Sequence, residues 1–389
     1  MSDAVDRGFT VTELAPVDNP IETLRETVAA FVGRALRGPL NQPVLVRDYG
    51  DFRRRFGDVW TRSSLAPAVK SYFQHGGREL YIVRVANGAR GAMLCLPASG
   101  SALVLRALQP GSTERLRAAI DYDGIDEAND ELFNLTLQRV DPDSELVLDQ
   151  EIHRGLSVSP EHRRFVADRL LASSFARVET PLPTHRPEAT YDSTTTSMAY
   201  VTAVQPGTDG EELTDYDLIG SRTDQTGLFA LELVERVDLL YLPPPGKLRD
   251  LGPTSMLAAE QYAKQRNAML VLDPPIDWKK PRDVMRSANV GIASANVMTY
   301  FPRLYHRYDS EVPPRAAGGA IAGILAKLDR RYGAWQSVDT RALALNRDWV
   351  PAAELNDDEI AAMHRVGVNA IRKGGAGVST LVGDVTLER

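Results

Sequence analysis

Two hydrophobic periods alternate along this chain, and the places where one gives way to the other predict its elements. Near the start, "GFTVTELAP" carries Phe9, Val11 and Leu14 among polar residues, with no helical pattern after it. A lone strand leaves its backbone groups unsatisfied, so residues 1–22 read as an arm that pairs with another sheet. In 23–90, "ETVAAFVGRA" predicts an apolar strand ending at Gly33, and Val44–Val46 a second. Asp48 is placed to cap a helix over "GDFRRRFG" that Gly57 stops. In "LAPAVKSYFQHGG", Leu65, Val69, Tyr72 and Phe73 share one helical face, and "ELYIVRV" is a buried strand.

The character changes over 91–195. "SALVLRAL" and "ELFNLTLQRV" read as strands, and in the second Phe133, Leu135 and Leu137 alternate with polar residues. "SPEHRRFVADRLLAS" predicts a helix with Ser159 as N-cap and Pro160 in its first turn. A Pro/Thr/Ser-rich loop follows, and the whole stretch reads as an inserted, mostly β domain. An α/β rhythm returns over 196–305: a helix around "TGLFALELVER" precedes the strand "VDLLYLP". The helix "SMLAAEQYAKQRN" then leads to "AMLVLDPP", and a helix near "PRDVMRSANV" to "NVMTYFPRLY". That order implies a mainly parallel sheet covered by helices. In 306–389, Ile321, Ile324, Leu325 and Leu328 recur at helical spacing up to Gly333. Asn356 caps a further helix with Glu359 three residues on and Gly367 at its stop. "VNAIR" and "VSTLVGDVTL" are short strands. No repeat of solenoid length is present.

Composition narrows the function. The chain has 389 residues, a formal net charge of -7 and one cysteine, Cys95. A length of this order predicts two or three domains. The net charge argues against a dedicated nucleic-acid binder. One cysteine permits no internal disulfide and no cysteine-clustered zinc. No apolar run approaches the roughly 20 residues of a membrane helix, and the start lacks the apolar segment of a signal peptide, so a cytoplasmic origin is expected.

Candidate chemistry is sparse. Arg53, Arg54 and Arg55 lie between Phe52 and Phe56, which share a helix face four residues apart. The simpler reading is a solvated or subunit-facing helix, since nucleic-acid binding needs further basic residues and exposed aromatics. "KGGAGVSTLVG" lacks the Gly-Lys-Ser/Thr of a phosphate loop and precedes a strand, so it reads as a turn. "TDGEELTDYD" gathers Asp209, Glu211, Glu212, Asp215 and Asp217 without calcium-loop spacing, and reads as an acidic loop capping the next helix. His75, His153, His162, His185, His306 and His364 form no metal-binding pair on a helix face, and no G-x-S-x-G elbow occurs. No cofactor and no metal are expected.

Two stretches, "AAFVGRALRGPLNQPVLVRDYGDFRRRFGD" and "LAPAVKSYFQHGGRELYIVRV", resemble the N-terminal hallmark of contractile tail sheath proteins of contractile phages, R-type pyocins and phage-like injection systems. In the family's order follow "TDGEELTDYDLIG", "GLFALELVERVDLLYLP", "AAEQYAKQRNAMLVLDPP", "TYFPRLY", "AGILAKLDRRYGAW" and "GVNAIRKGGAGVSTLVGDVTL". The resemblance implies a multidomain α/β (α+β) fold: a sheath core with a mainly parallel, subtilisin-like domain at 196–305, and the insertion at 91–195 facing outward. That name describes a strand-and-helix arrangement and implies no proteolysis.

The resemblance further implies a structural, non-enzymatic subunit that polymerises around an inner tube and contracts to drive it through a target envelope. Its partners would be copies of itself, the inner tail tube protein, and baseplate and tail terminator proteins. Direct nucleic-acid contact and membrane insertion are not expected. Assembly would take place in a host cytoplasm, into a phage tail or injection particle. Arms in such sheaths add strands to neighbouring sheets. Phe9, Val11 and Leu14 are the candidates for that role, and Arg53, Arg54 and Arg55 for subunit contact. Two departures stand out. "RGFTVTELAP" replaces the Pro-Gly-Val-Tyr stretch of many relatives, and the chain stops at Arg389, three residues after Thr386, where relatives continue into a helix and an arm. A shortened sheath paralogue or assembly-incompetent form acting at the baseplate or tail end is therefore the second reading. An α/β hydrolase-like enzyme is the third, and no local signature supports it.

Overall fold

A computed structural model describes residues 26–142, 144–191, 197–287, 292–307, 313–332 and 343–387. Strand β1 (Ala29–Gly33) is buried along its whole length, as an apolar run in a central parallel strand must be. After β2 (Val44–Val46), Asp48 accepts the Asp51 N–H at 2.7 Å and so caps helix α1 (Tyr49–Phe56). Helix α2 (Leu65–Gln74) buries Leu65, Val69 and Tyr72 and leads into β3 (Leu80–Arg84).

The chain then leaves for a run of antiparallel strands: β4 (Gly91–Ala98), β5 (Ser101–Pro110), β6 (Arg115–Asp121), β7 (Leu132–Val140) and β8 (Val147–Ser157). A single α-turn, α3 (Val166–Arg169), precedes β9 (Ala176–Glu179) and β10 (Val201–Thr202). It returns through α4 (Asp215–Ile219), β11 (Leu239–Tyr241), α5 (Pro253–Arg266), β12 (Met269–Leu272), α6 (Pro281–Ser287), β13 (Val297–Phe301) and β14 (Leu304–His306). It closes with α7 (Gly318–Tyr332), β15 (Trp349–Pro351), α8 (Asp357–His364), β16 (Val368–Lys373) and β17 (Ser379–Val382).

The main sheet has eight strands in the order β17–β16–β13–β12–β11–β1–β3–β2. All neighbours from β16 to β3 run parallel, and only the edge strands β17 and β2 run antiparallel. Side chains of a strand alternate between faces, so β1 sends Ala30 and Val32 to one core and Ala29 and Phe31 to the other. The first core is covered by α4, α5, α6 and α8, the second by α1, α2 and α7. The sheet is thus buried on both faces, as parallel sheets require. From β1 the chain crosses through α1 and α2 to β3 on one side, and later returns to β11 on the other, so strand order reverses between β1 and β11.

The β unit holds a third core. The sheets β4–β5–β9 and β10–β6–β7–β8 face each other across Leu94, Leu96, Leu103, Leu105, Phe133, Leu135, Leu137 and Leu156. The alternation read from "ELFNLTLQRV" is the pattern that fills this core.

Two expected helices differ. "SPEHRRFVADRLLAS" is helical only over Val166–Arg169, followed by a 3-10 turn at Leu170–Ala172. The Ser157 N–H takes the Arg164 carbonyl at 2.9 Å, which pins 159–165 as a turn against the end of β8 and leaves Ser159 capping no helix. "TGLFALELVER" is a 3-10 segment, Gly227–Leu233, which the chain enters through a tight backbone crossing of Gly220 with Thr226 and Gly227. Gly333, the expected stop of α7, lies outside the described residues.

Candidate assembly surface

Helix α1 separates its two roles by face. Phe52 and Phe56 are fully buried and stack at 5.4 Å, with Tyr49 stacked on Phe52 at 5.9 Å. The side chains of Arg53, Arg54 and Arg55 are 63%, 74% and 53% exposed. The aromatic rings point inward, away from any base that would stack on them, so this arginine run has no flanking aromatic platform. Asp51, in the first turn, accepts from Arg55 at 2.9 Å and Arg54 at 3.2 Å, and Asp58 lies 3.9 Å from Arg53. Partial burial works against ionising Asp51, but the hydrogen bonds and charges of Arg55 and Arg54 prevail and hold its carboxyl below the usual range.

The three arginines form one wall of a cleft of about 590 Å3 between α1 and the β unit. The opposite wall carries Arg139, Asp149 and Leu148, the last two on β8. At its floor Glu114 accepts from Arg139 at 2.9 Å, and burial pushes the Glu114 carboxyl up against the pull of Arg139. β8 is the terminal strand of its sheet, and Leu146, Val147, Leu148 and Ile152 are exposed along and just before it. This combination of guanidinium wall, apolar strand edge and open cleft is suited to contact with another polypeptide. Phe9, Val11 and Leu14, the other contact candidates, lie outside the described residues.

The reversal of strand order between β1 and β11 creates the crevice where open α/β sheets commonly bind ligands. Here it is a cavity of about 120 Å3 lined mainly by apolar groups, among them Pro67, Ala68, Tyr241, Pro244, Leu304 and Trp349. Beneath it the Tyr241 hydroxyl donates to Asp273 at 2.6 Å, and Asp273 also accepts the Gly318 N–H at 2.9 Å, where α7 begins. Desolvation beneath the cavity raises the Asp273 carboxyl above its ordinary range, although Arg303 and these hydrogen bonds favour its charged form. The pair anchors the N-terminus of α7 to the sheet.

Ser71 Oγ lies 3.5 Å from His75 Nδ1, but that nitrogen is 2.7 Å from the Ser71 carbonyl, while Nε2 accepts the Asn346 N–H at 3.0 Å. These bonds place the proton on Nδ1, so the imidazole has no free lone pair for the serine, and burial keeps it neutral. The acidic run disperses into structural roles. Asp217 completes a capping box with Thr214, Asp215 accepts from the Thr254 N–H, Glu212 pairs with Arg249, and Asp209 holds Ser112. "KGGAGVSTLVG" is the turn between β16 and β17, closed by Gly374 N–H to Val378 O at 2.7 Å. Among the described residues no group of three or more His, Cys, Asp or Glu is placed to hold a metal ion, and no helix is long and apolar enough to cross a membrane.

Sequence reasoning missed the buried arginines. Arg84 is 2% exposed and Arg34 4%, and both end on backbone carbonyls at the junction with the β unit. For Arg84 the available signal was a cation inside the buried strand pattern "LYIVRV".

No family model matches this chain, and no curated protein matches it in sequence. Solved structures do match, and the fold they define is that of tail sheath proteins. A sheath tail protein from Listeria innocua aligns over 94% of this chain and 70% of its own length, with a TM-score of 0.56 and 13% identity. A sheath tail protein from Desulfitobacterium hafniense aligns over 98% of this chain and 75% of its own, with a TM-score of 0.50 and 13% identity. At that identity the likeness is one of fold, and it agrees with the mixed α/β class expected from the sequence.

Proposed function

We propose that this protein is a structural subunit of a contractile tail sheath, whose copies polymerise around an inner tube and shorten to drive that tube through a target envelope. The observation that carries the reading is the fold agreement with a sheath tail protein over 94% of the chain. The Ser71–His75 geometry adds to it, since the imidazole is committed to backbone partners and activates no nucleophile. In this reading the protein makes and breaks no covalent bond. Its partners are copies of itself, the inner tube protein, and the baseplate and tail terminator proteins. It assembles in a host cytoplasm into a phage tail or injection particle.

The parallel sheet takes the part of the subtilisin-like domain, and the β unit faces outward. The arm at 1–22 adds a strand to a neighbour through Phe9, Val11 and Leu14, which satisfies backbone groups without fixing domain orientation. The arginine wall of α1 meets a second copy. The test is electron microscopy of the purified chain with and without its inner-tube protein. Tubes or stacked rings with the inner tube present are expected; a chain that stays monomeric at high concentration beside that tube overturns the reading.

A further inference from the structure

We propose that Arg84 and Arg34 are positioning residues that lock the angle between the parallel sheet and the β unit, so that the two move as one body. This concerns a single molecule and holds whether or not the chain forms a sheath. Two chain crossings join the unit to the sheet, and they pair with each other. The Thr208 N–H donates to Arg90 O at 2.9 Å, Glu211 N–H to Asn87 O at 2.8 Å, and Met93 N–H to Gln205 O at 2.8 Å. A hydrogen-bonded ribbon of two strands resists bending far better than two separate linkers.

Arg84, the last residue of β3, extends its guanidinium through the junction. It donates to Ala35 O at 3.0 Å and Gly38 O at 2.6 Å on the sheet side, and to Pro110 O at 2.7 Å at the end of β5. A planar guanidinium with fixed donor directions sets both distance and angle between the segments it bridges. Arg34, just beyond β1, donates to Asp209 O at 2.6 Å and Gly210 O at 3.1 Å on the returning crossing, and lies 4.8 Å over the Trp60 ring. The Asp209 carboxylate in turn holds the N–H and hydroxyl of Ser112, beyond β5, at 2.8 Å each. Glu114 and Asp209 supply the negative charge facing Arg84, and Arg34 and Arg62 the positive charge in the same junction. The packing leaves no slack: Gly210 adopts φ +72°, and a Cβ there would sit 2.0 Å from the Asn87 carbonyl oxygen. A displacement of the sheet therefore carries the far end of the β unit with it, and the unit acts as a lever.

The test uses the full chain with Cys95→Ser and single cysteines placed at the exposed positions Glu127, on the β6–β7 turn, and Gln261, on α5. Spin labels at these sites report one inter-label distance by pulsed electron resonance. One narrow distribution is expected for the otherwise unaltered chain, and a broad or bimodal one overturns the proposal outright. Arg84→Met is expected to roughly double the width and to speed amide exchange over 86–91 and 205–211 about tenfold, while exchange in β12 and β13 is unchanged. Gly210→Ala, which disturbs the ribbon without touching the sheet core, is expected to broaden the distribution likewise and decides the matter if Arg84→Met does not fold. A folded variant with an unaltered narrow distribution refutes the lock.

Discussion

Helix α1 turns one face inward and one outward, and the two can be separated by mutation. Phe52 is 0% exposed and stacks on both Phe56 and Tyr49. Phe52→Ala removes a fully buried ring and leaves a cavity, at a cost of about 3–5 kcal/mol. For a domain of this size each kcal/mol shifts the melting temperature by about 2–4 °C, so a fall of about 10 °C is expected. The triple replacement of Arg53, Arg54 and Arg55 by Ala removes ion pairs at 3.9, 3.2 and 2.9 Å whose arginines are more than half exposed. Exposed pairs contribute about 0.2–1 kcal/mol each. Alanine returns a few tenths per residue in helix propensity, and Asp51 keeps its favourable place in the first turn. The net loss is about 1 kcal/mol, a shift of only ~3 °C. The assay is a thermal melt by circular dichroism beside electron microscopy of assembly on the inner-tube protein. The triple variant is expected to melt nearly as the parent does and to form no tubes. If it melts as low as Phe52→Ala, or builds tubes as the parent does, the division of labour on α1 is wrong.

Asn356→Ala removes the side chain that accepts the Glu359 N–H at 2.9 Å in a reciprocal capping box, and a loss of about 1 kcal/mol in urea unfolding is expected. Gly319→Ala sets a Cβ 2.3 Å from the Ala68 carbonyl oxygen where α7 crosses α2, and forcing the helices apart should cost about 1–3 kcal/mol in the same measurement. The folded Asp51 carboxyl titrates below its ordinary 3.8, so its contribution is complete above that value and is lost as pH falls through the folded pKa. Urea titrations should therefore show wild type more stable than Asp51→Asn at pH 6, with the gap narrowing as pH falls below about 4; a gap that does not narrow on acidification contradicts the assignment.

Much of the secondary structure was legible because its causes are local. The cap at Asp48, the capping box of Asn356 with Glu359, and the alternation of Phe133, Leu135 and Leu137 each involve residues within four positions of one another. The strand–helix rhythm likewise announced a parallel sheet. The two helical patterns that failed did so at turns that close over six or seven residues, a span a helical repeat does not register. The Arg164 carbonyl is taken by the end of β8, and Gly220 crosses the backbone at Thr226, and neither event is visible in a helical repeat. Of the site candidates, Arg53, Arg54 and Arg55 do lie together on an exposed face, because burial of Phe52 and Phe56 forces the residues between them outward. The cleft they border was not legible, since its other wall comes from β8 and the β7–β8 region about ninety residues away.

By itself the sequence determined the helix starts at Asp48 and Asn356, which strand faces are apolar, and that no short-range motif for catalysis or metal binding is present. Those properties rest on interactions a few residues long. Only the tertiary structure decided that Arg84 grips Pro110, that Asp273 receives α7 at Gly318, and that His75 meets Asn346, 271 positions away. Such partners are chosen by the packing of sheet against helix and of the β unit against both. A buried polar group must find a partner wherever the fold brings one, and chain distance gives no guide to which.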